Sequence, residues 1–198
     1  MATDINAVIK NLLSFYNFDK KTVISVGAGG GQLIEYGRSA KKVIAIDNSA
    51  IAIQKLKENL INRKLEQIFE VMEADFYETS LNGDVVFFEF CLHEMPDAAK
   101  AIKHALAMAP EVLVMDHAPQ SRWAYYAAED HKVAASWKAL ETFAIKKRQT
   151  FTANQTFHDH SEIHEKLKSQ GEESIKRISE FTSQKNIVIP MPYAAALI

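Results

Sequence analysis

The chain has 198 residues, of which 47% are hydrophobic, enough for one domain with a sizeable core. A formal net charge of −2 gives no overall attraction to nucleic acid or to an anionic membrane, and a single cysteine excludes an internal disulfide and a thiolate metal cluster. No apolar run reaches the roughly 20 residues that span a bilayer. We therefore expect residues 1–198 to form one cytoplasmic domain that binds neither nucleic acid nor membrane.

A glycine loop follows the first apolar strand. Residues 22–26 are mostly β-branched and apolar, which predicts a strand buried on both faces. Gly27, Gly29 and Gly31 come next and let a ligand approach the backbone. A helix is expected over residues 32–40, and its positive N-terminal end would favour an anionic group such as a carboxylate.

Acidic residues mark the ends of the strands that follow this loop. Four further strands are expected over residues 42–47, 68–74, 83–89 and 111–116, with Asp47, Asp75, Glu89 and Asp116 at or just after their ends. Helices separate them, which predicts an α/β fold with a doubly wound, mostly parallel sheet. Because ligands of such sheets bind at the carboxyl ends of the strands, the glycine loop and the acids are expected to meet at one edge.

The last third of the chain departs from this alternation. A helix is expected over residues 124–144, inside an insertion of about residues 119–157 that would form a lid after strand five. Two antiparallel strands over residues 174–182 and 186–198 are expected to complete a seven-stranded, Rossmann-like sheet as a C-terminal hairpin.

These motifs, in this order, resemble those of the class I S-adenosylmethionine-dependent methyltransferases, whose glycine motif reads acid-apolar-G-x-G-x-G. Residues 91–97, Cys-Leu-His-Glu-Met-Pro-Asp, look like the "S-x-x-L-H-H-x-x-D" passage of small-molecule members. One departure is Ser25, which stands where the family has its first acid. The resemblance implies S-adenosylmethionine as cofactor and a small-molecule methyl acceptor, with O- or C-methylation as a guess.

The resemblance also implies which residues bind the cofactor. The glycine loop would line its methionine portion, Asp47 would hold the ribose, and Asp75 with Phe76 would contact the adenine. The full set of cofactor-binding residues is expected to be Gly27, Ala28, Gly29, Gly31, Asp47, Asn48, Asp75, Phe76 and Glu89.

Candidate catalytic and acceptor-binding residues follow strands four and five. His93 is the first candidate for a base that removes a proton from a phenol, thiol or acidic carbon, and Glu94 is its nearest alternative. The residues expected to wall the acceptor pocket are His117, Trp123, Tyr125 and Tyr126. Ordinary helix packing explains the three aromatic residues equally well, and a solvated face explains Glu129 at least as well as a substrate contact.

Two other functions fit parts of the pattern. An NAD-dependent Rossmann oxidoreductase would share the acid at Asp47 but prefers G-x-G-x-x-G, whose last position is Gln32 here. A non-catalytic S-adenosylmethionine-binding protein would tolerate Ser25. No metal is expected, although His160 and His164 are spaced to share one helix face. The oligomeric state is open, with a homodimer as one alternative.

Overall fold

The computed structural model describes residues 4–198, and over that range it contains a seven-stranded sheet. The strands are β1 (Thr22–Val26), β2 (Lys42–Asp47), β3 (Phe69–Glu73), β4 (Val85–Glu89), β5 (Val112–His117), β6 (Lys147–Asp159) and β7 (Lys185–Leu197). Their spatial order is β3-β2-β1-β4-β5-β7-β6. The first five strands are parallel, and β7 is antiparallel to both β5 and β6. The predicted doubly wound sheet with an antiparallel C-terminal pair is confirmed.

Helices cover both faces of the sheet. They are α1 (Ile5–Phe15), α2 (Ala50–Arg63), α3 (Ala98–Met108), α4 (Arg122–Tyr126), α5 (Asp130–Leu140), α6 (His160–Leu167) and α7 (Glu172–Ile178). Successive residues of a strand face opposite sides, so Val23 packs in the core with α1 and α2 while Ile24 packs in the core with α3 and α5. None of the helices among residues 4–198 combines the length and apolarity needed to cross a membrane.

The prediction of a strand over residues 174–182 is wrong, because this segment is mostly helical. Ser174 and Ile178 are fully buried and lie four residues apart, which is the spacing of one helix face. The strand that pairs with the outer side of β7 is β6, which begins within the predicted lid. Its inward positions include Ala153 and Gln155, so the alternation of apolar residues that would reveal a strand is weak.

Two predicted helices also differ from the structure. The helix expected over residues 124–144 is divided into α4 and α5, because Ala128 takes a left-handed backbone conformation with φ of 58° between them. The helix expected over residues 32–40 is a short 3-10 helix, Ile34–Arg38. Glu129 follows this break directly and precedes the first residue of α5.

Candidate active site

The glycine loop between β1 and the 3-10 helix presents its backbone to a cavity. The N–H groups of Gly27 and Ala28 donate to the carbonyl of Ile46 at 3.0 and 3.3 Å, which fastens the loop to β2. Gly29 has a φ of 52°, and a Cβ placed there would meet nothing closer than 3.8 Å. Gly31 differs, since a Cβ there would lie 2.7 Å from Leu56 Cδ1 of α2. The loop is therefore open at Gly29 and closely packed at Gly31.

Asp47 connects the end of β2 to this loop. Its Oδ2 accepts a hydrogen bond from Gly29 N at 2.8 Å, and its Oδ1 accepts one from Ser49 N at 2.9 Å. Asp75 lies at the end of the next strand and is exposed, with its Oδ1 accepting from Tyr77 N at 2.9 Å. Phe76 is buried, and its ring centroid lies 5.4 Å from that of Phe88. Of these residues, Asp47 is the one held against the glycine loop.

A buried carboxylate from β4 reaches the position next to Ser25. The Ser25 hydroxyl donates to Glu89 Oε1, and the Tyr36 hydroxyl donates to the same oxygen at 2.8 Å. Burial raises the pKa of Glu89 to about 7, although both hydrogen bonds act in the opposite direction. The neighbouring strand thus supplies an acid at the place where β1 has a serine.

A cavity of about 450 Å³ extends from the glycine loop to the segment after β5. The predicted site residues that line it are Gly27, Ala28, Gly29, Glu89, His117 and Trp123. The predicted residues that do not line it are Gly31, Asp47, Asn48, Asp75, Phe76, His93, Glu94, Tyr125 and Tyr126. Ile5 and Val8 of α1 and Leu167 of α6 close its other side.

His117 has a side-chain nitrogen without a partner at this cavity. The residue is 7% exposed, and its buried Nδ1 has no hydrogen-bond partner among residues 4–198. Its backbone is held on both sides, because its N–H donates to Asp116 Oδ1 at 2.8 Å and its carbonyl accepts from Trp137 Nε1 at 2.5 Å. Burial lowers the pKa of His117 to about 4, so the ring is neutral at pH 7. A buried side-chain nitrogen without a partner is rare in folded proteins.

His93 lies behind the cavity wall in a cluster of carboxylates. Its Nδ1 is 2.6 Å from Asp116 Oδ1, and its Nε2 is 3.3 Å from Glu94 Oε1 and 3.6 Å from Glu129 Oε2. Burial favours the neutral imidazole, but the three carboxylates outweigh it and raise the pKa of His93 to about 11. A protonated His93 has no free lone pair, which is unfavourable for the role of base.

The tyrosines expected at the acceptor pocket make other contacts. Tyr126 is buried, and its hydroxyl donates to Glu180 Oε1 at 2.6 Å. Tyr125 is 42% exposed, and the guanidinium of Arg177 lies 4.3 Å from its ring centroid. Both tyrosines therefore contact other parts of the protein, as expected if they serve helix packing rather than the acceptor pocket.

Most of the lining residues were not assigned to the site from the sequence, among them Gln155 and Met191, which reach the cavity from β6 and β7. Glu129, for which a solvated face and a substrate contact were both open, is 7% exposed and lines the cavity. Gln155 Nε2 lies 3.3 Å from Met191 Sδ. The available signal was the polar residue Gln155 at an inward position of a strand, and it can be recognised only when residues 147–159 are assigned to β6.

A doubly wound sheet with a glycine loop after β1, an acid at the end of β2 and a cavity at the carboxyl ends of the strands defines a nucleotide-cofactor-binding α/β enzyme. The family model described as "Methyltransferase domain" matches residues 2–178, so the chain belongs to that methyltransferase family. The chain is therefore a methyltransferase. A search of curated proteins gives no significant match.

Solved structures with the same fold include three that indicate its breadth. A candidate methyltransferase from Bacillus halodurans is 15% identical, with 98% of this chain and 97% of that chain covered and a TM-score of 0.67. Magnesium protoporphyrin IX methyltransferase from Synechocystis, with bound S-adenosylmethionine, is 18% identical, with coverages of 97% and 77% and a TM-score of 0.58. A candidate RNA methyltransferase from Pyrococcus horikoshii is 19% identical, with coverages of 97% and 82% and a TM-score of 0.56.

Proposed function

We propose that this enzyme transfers a methyl group to an oxygen or carbon atom of a small molecule bound in the cavity beside the glycine loop. The cavity itself carries the proposal, because its volume of about 450 Å³ is in the range of small-ligand sites, roughly 300–1,000 Å³, and it continues from the glycine loop to His117 and Trp123. Apolar side chains such as Trp123 and Met191 share the wall with polar ones, among them Glu129. This mixed composition suits a compact acceptor that carries a hydroxyl group.

The fold relatives leave the acceptor class open, since one is described as acting on a porphyrin and another on RNA. Two features favour a small molecule for this chain. Helices α1 and α6 contribute the apolar side chains Ile5, Val8 and Leu167 to the cavity lining, which suits an uncharged small molecule better than a phosphate backbone. The formal net charge of −2 also gives no general attraction to a phosphate backbone.

The residues around the loop fit the cofactor. The open position at Gly29 allows a ligand to lie against the backbone, and the Glu89 carboxylate faces the same cavity and matches an ammonium group. Asp47 can accept hydrogen bonds from ribose hydroxyls in addition to holding Gly29 N. We therefore assign Glu89 to the methionine end and Asp47 to the ribose.

S-adenosylmethionine supplies a methyl group on a positively charged sulfur that is already a good leaving group. The protein then needs mainly to align the acceptor and exclude water. In our proposal Trp123 packs against the body of the acceptor, its own ring being stacked on Phe157 with centroids 5.8 Å apart. The neutral ring of His117, which also lines the cavity, accepts the hydrogen bond of the acceptor hydroxyl through one of its nitrogens and orients its oxygen.

The variant His117→Phe tests this assignment. A phenyl ring keeps the contact with Phe90, whose centroid is 5.2 Å away, but lacks the ring nitrogens. We expect turnover to fall by about 10²- to 10⁴-fold while the affinity for S-adenosylhomocysteine changes less than about twofold. Unfolding measured by heat should occur at the same or a higher temperature, because a buried unpaired nitrogen has been removed. Equal losses of turnover and cofactor affinity would mean that His117 is only structural.

The variant Asp47→Ala tests the cofactor assignment. We expect S-adenosylhomocysteine to bind about 10- to 150-fold more weakly by calorimetry, which corresponds to about 1.5–3 kcal/mol for hydrogen bonds to a charged group. Asp84→Ala is the matched control, since Asp84 is an exposed acid whose Oδ2 accepts from Thr22 N at 2.7 Å, at the end of β1 opposite to the loop. Unchanged affinity in Asp47→Ala would remove Asp47 from the site.

The acceptor class is tested by transfer of a labelled methyl group. We expect purified protein to methylate members of a panel of phenols, quinols and acidic carbon compounds and to leave bulk tRNA unlabelled. Labelling of tRNA without any small molecule would overturn the proposal. Calorimetry with NAD should give no heat, and heat with NAD alone would instead support an oxidoreductase.

A further inference from the structure

Three side chains beside the cavity bring potential metal ligands together. His93 Nε2 lies 3.3 Å from Glu94 Oε1 and 3.6 Å from Glu129 Oε2, and one ligand atom from each residue lies within 4.8 Å of the others. Two ligands of a tetrahedral ion bonded at about 2.0–2.1 Å are separated by about 3.3 Å. The two distances from His93 Nε2 are close to that separation.

Asp116 prepares His93 for this role. It is 1% exposed, and its Oδ1 lies 2.6 Å from His93 Nδ1 while its Oδ2 accepts from His93 N at 3.0 Å. The ring is thus fixed with Nδ1 as the donor and Nε2 directed at the two glutamates. A carboxylate behind a histidine is the arrangement that orients metal-bound imidazoles.

Glu129 connects the cluster to the cavity. It is 7% exposed and lines the cavity, and its Oε2 lies 3.6 Å from His93 Nε2. A carboxylate in such surroundings loses most of its hydration, so it needs a positively charged partner, which a protonated His93 or a bound cation can supply. Glu94 offers Oε1 to the same point, while its Oε2 is 3.0 Å from Lys132 Nζ.

We propose that His93, Glu94 and Glu129 bind one divalent transition-metal ion, with Zn²⁺ as the ion that fits best. One imidazole nitrogen and two carboxylate oxygens form a donor set that Zn²⁺ accepts, and three protein ligands leave a fourth position open. Because Glu129 also lines the cavity, an ion held by these residues would lie close to the cavity wall, and an anionic oxygen of a cavity ligand could occupy its fourth position.

Titration of the metal-free enzyme with Co²⁺, followed by its visible ligand-field bands, tests the site without cofactor or acceptor. We expect one equivalent to bind and Zn²⁺ to displace it. His93→Gln and Glu129→Gln should abolish the bands, and Asp116→Asn should weaken binding by about 10- to 100-fold. Lys132→Met should strengthen binding several-fold, because it removes a competing cation from Glu94.

Two controls separate this site from other outcomes. The double variant His160→Ala/His164→Ala removes the rival pair on α6, whose ring centroids are 6.0 Å apart, and should leave the bands unchanged. Glu94→Gln changes an exposed side chain, so it tests a ligand with little risk to folding, and we expect weaker binding. Absence of bands in the wild-type protein, bands that persist in Glu129→Gln, or bands that disappear in the double variant would each overturn the proposal. If the wild-type protein shows the Co²⁺ bands but transfers no methyl group to any acceptor, the result would count against the proposed function and not against the metal site.

Discussion

Replacing Gly27 with alanine is expected to produce the largest loss of stability of any single change in the glycine loop. Gly27 has a φ of 67°, which costs an alanine about 1–2 kcal/mol. The added Cβ would lie 2.5 Å from Cys91 Cβ and 2.6 Å from Cys91 Sγ, and such overpacking costs typically 1–3 kcal/mol. The unfolding temperature should therefore fall by about 5–15 °C in a calorimetric scan.

Gly29→Ala is the matched control for this prediction. Gly29 also has a positive φ, 52°, but its added Cβ would meet nothing within 3.8 Å. We expect it to lose only the backbone contribution to stability. The double variant Gly27→Ala/Cys91→Gly removes the atoms that clash and should recover about half of the lost stability. Equal losses for Gly27→Ala and Gly29→Ala would show that the contact with Cys91 is unimportant.

The parallel half of the fold was predictable because its signals are local. Residues 22–26 and 42–47 are apolar runs with clear ends, and the structure places them side by side with Val23 opposite Val43. The C-terminal half was less predictable because its signals are mixed. Phe151 and Phe157 of β6 are separated by polar residues and Ala153, and the turn that breaks the expected long helix occurs at Ala128, which is not a residue typical of turns.

The candidate site likewise contains residues that could be located from the sequence and residues that could not. The glycine loop and Asp47 could be located from spacing alone because they lie within one βαβ unit. Glu129 could not be located, because its burial depends on α5 packing against residues far away in sequence, such as His93. The pairing of Ser25 with Glu89 was equally hidden, since the two residues are 64 positions apart and meet only when β4 lies beside β1.

Glu89→Gln is expected to raise stability and lower cofactor affinity at the same time. In the unfolded chain a glutamate has a pKa of about 4.3, whereas burial raises the pKa of Glu89 to about 7 in the folded protein. Ionisation of Glu89 therefore favours the unfolded state increasingly as the pH rises from about 4.5 to 7, and the full cost of about 3 kcal/mol is present above pH 7. A neutral glutamine avoids this cost, although its amide nitrogen needs an acceptor, so the unfolding temperature at pH 8 should rise by about 3–10 °C. At pH 5 the difference between the two proteins should be small.

In the proposed function the ionised carboxylate of Glu89 binds the ammonium group of the methionine end, so the form that destabilises the fold is the form that binds the cofactor. Affinity of the wild-type enzyme for S-adenosylhomocysteine should fall between pH 8 and pH 6 as Glu89 takes up its proton, and Glu89→Gln should bind about 10- to 150-fold more weakly at pH 8 with a flat pH profile. Moving the acid back to β1 in the double variant Ser25→Asp/Glu89→Gln should recover much of the affinity, because the two side chains touch. Ser25→Asp alone should destabilise the protein, since it places a second buried carboxylate beside the first. Wild-type affinity that does not depend on pH, together with a Glu89→Gln variant that binds normally, would show that Ser25 needs no replacement acid and that Glu89 serves another purpose.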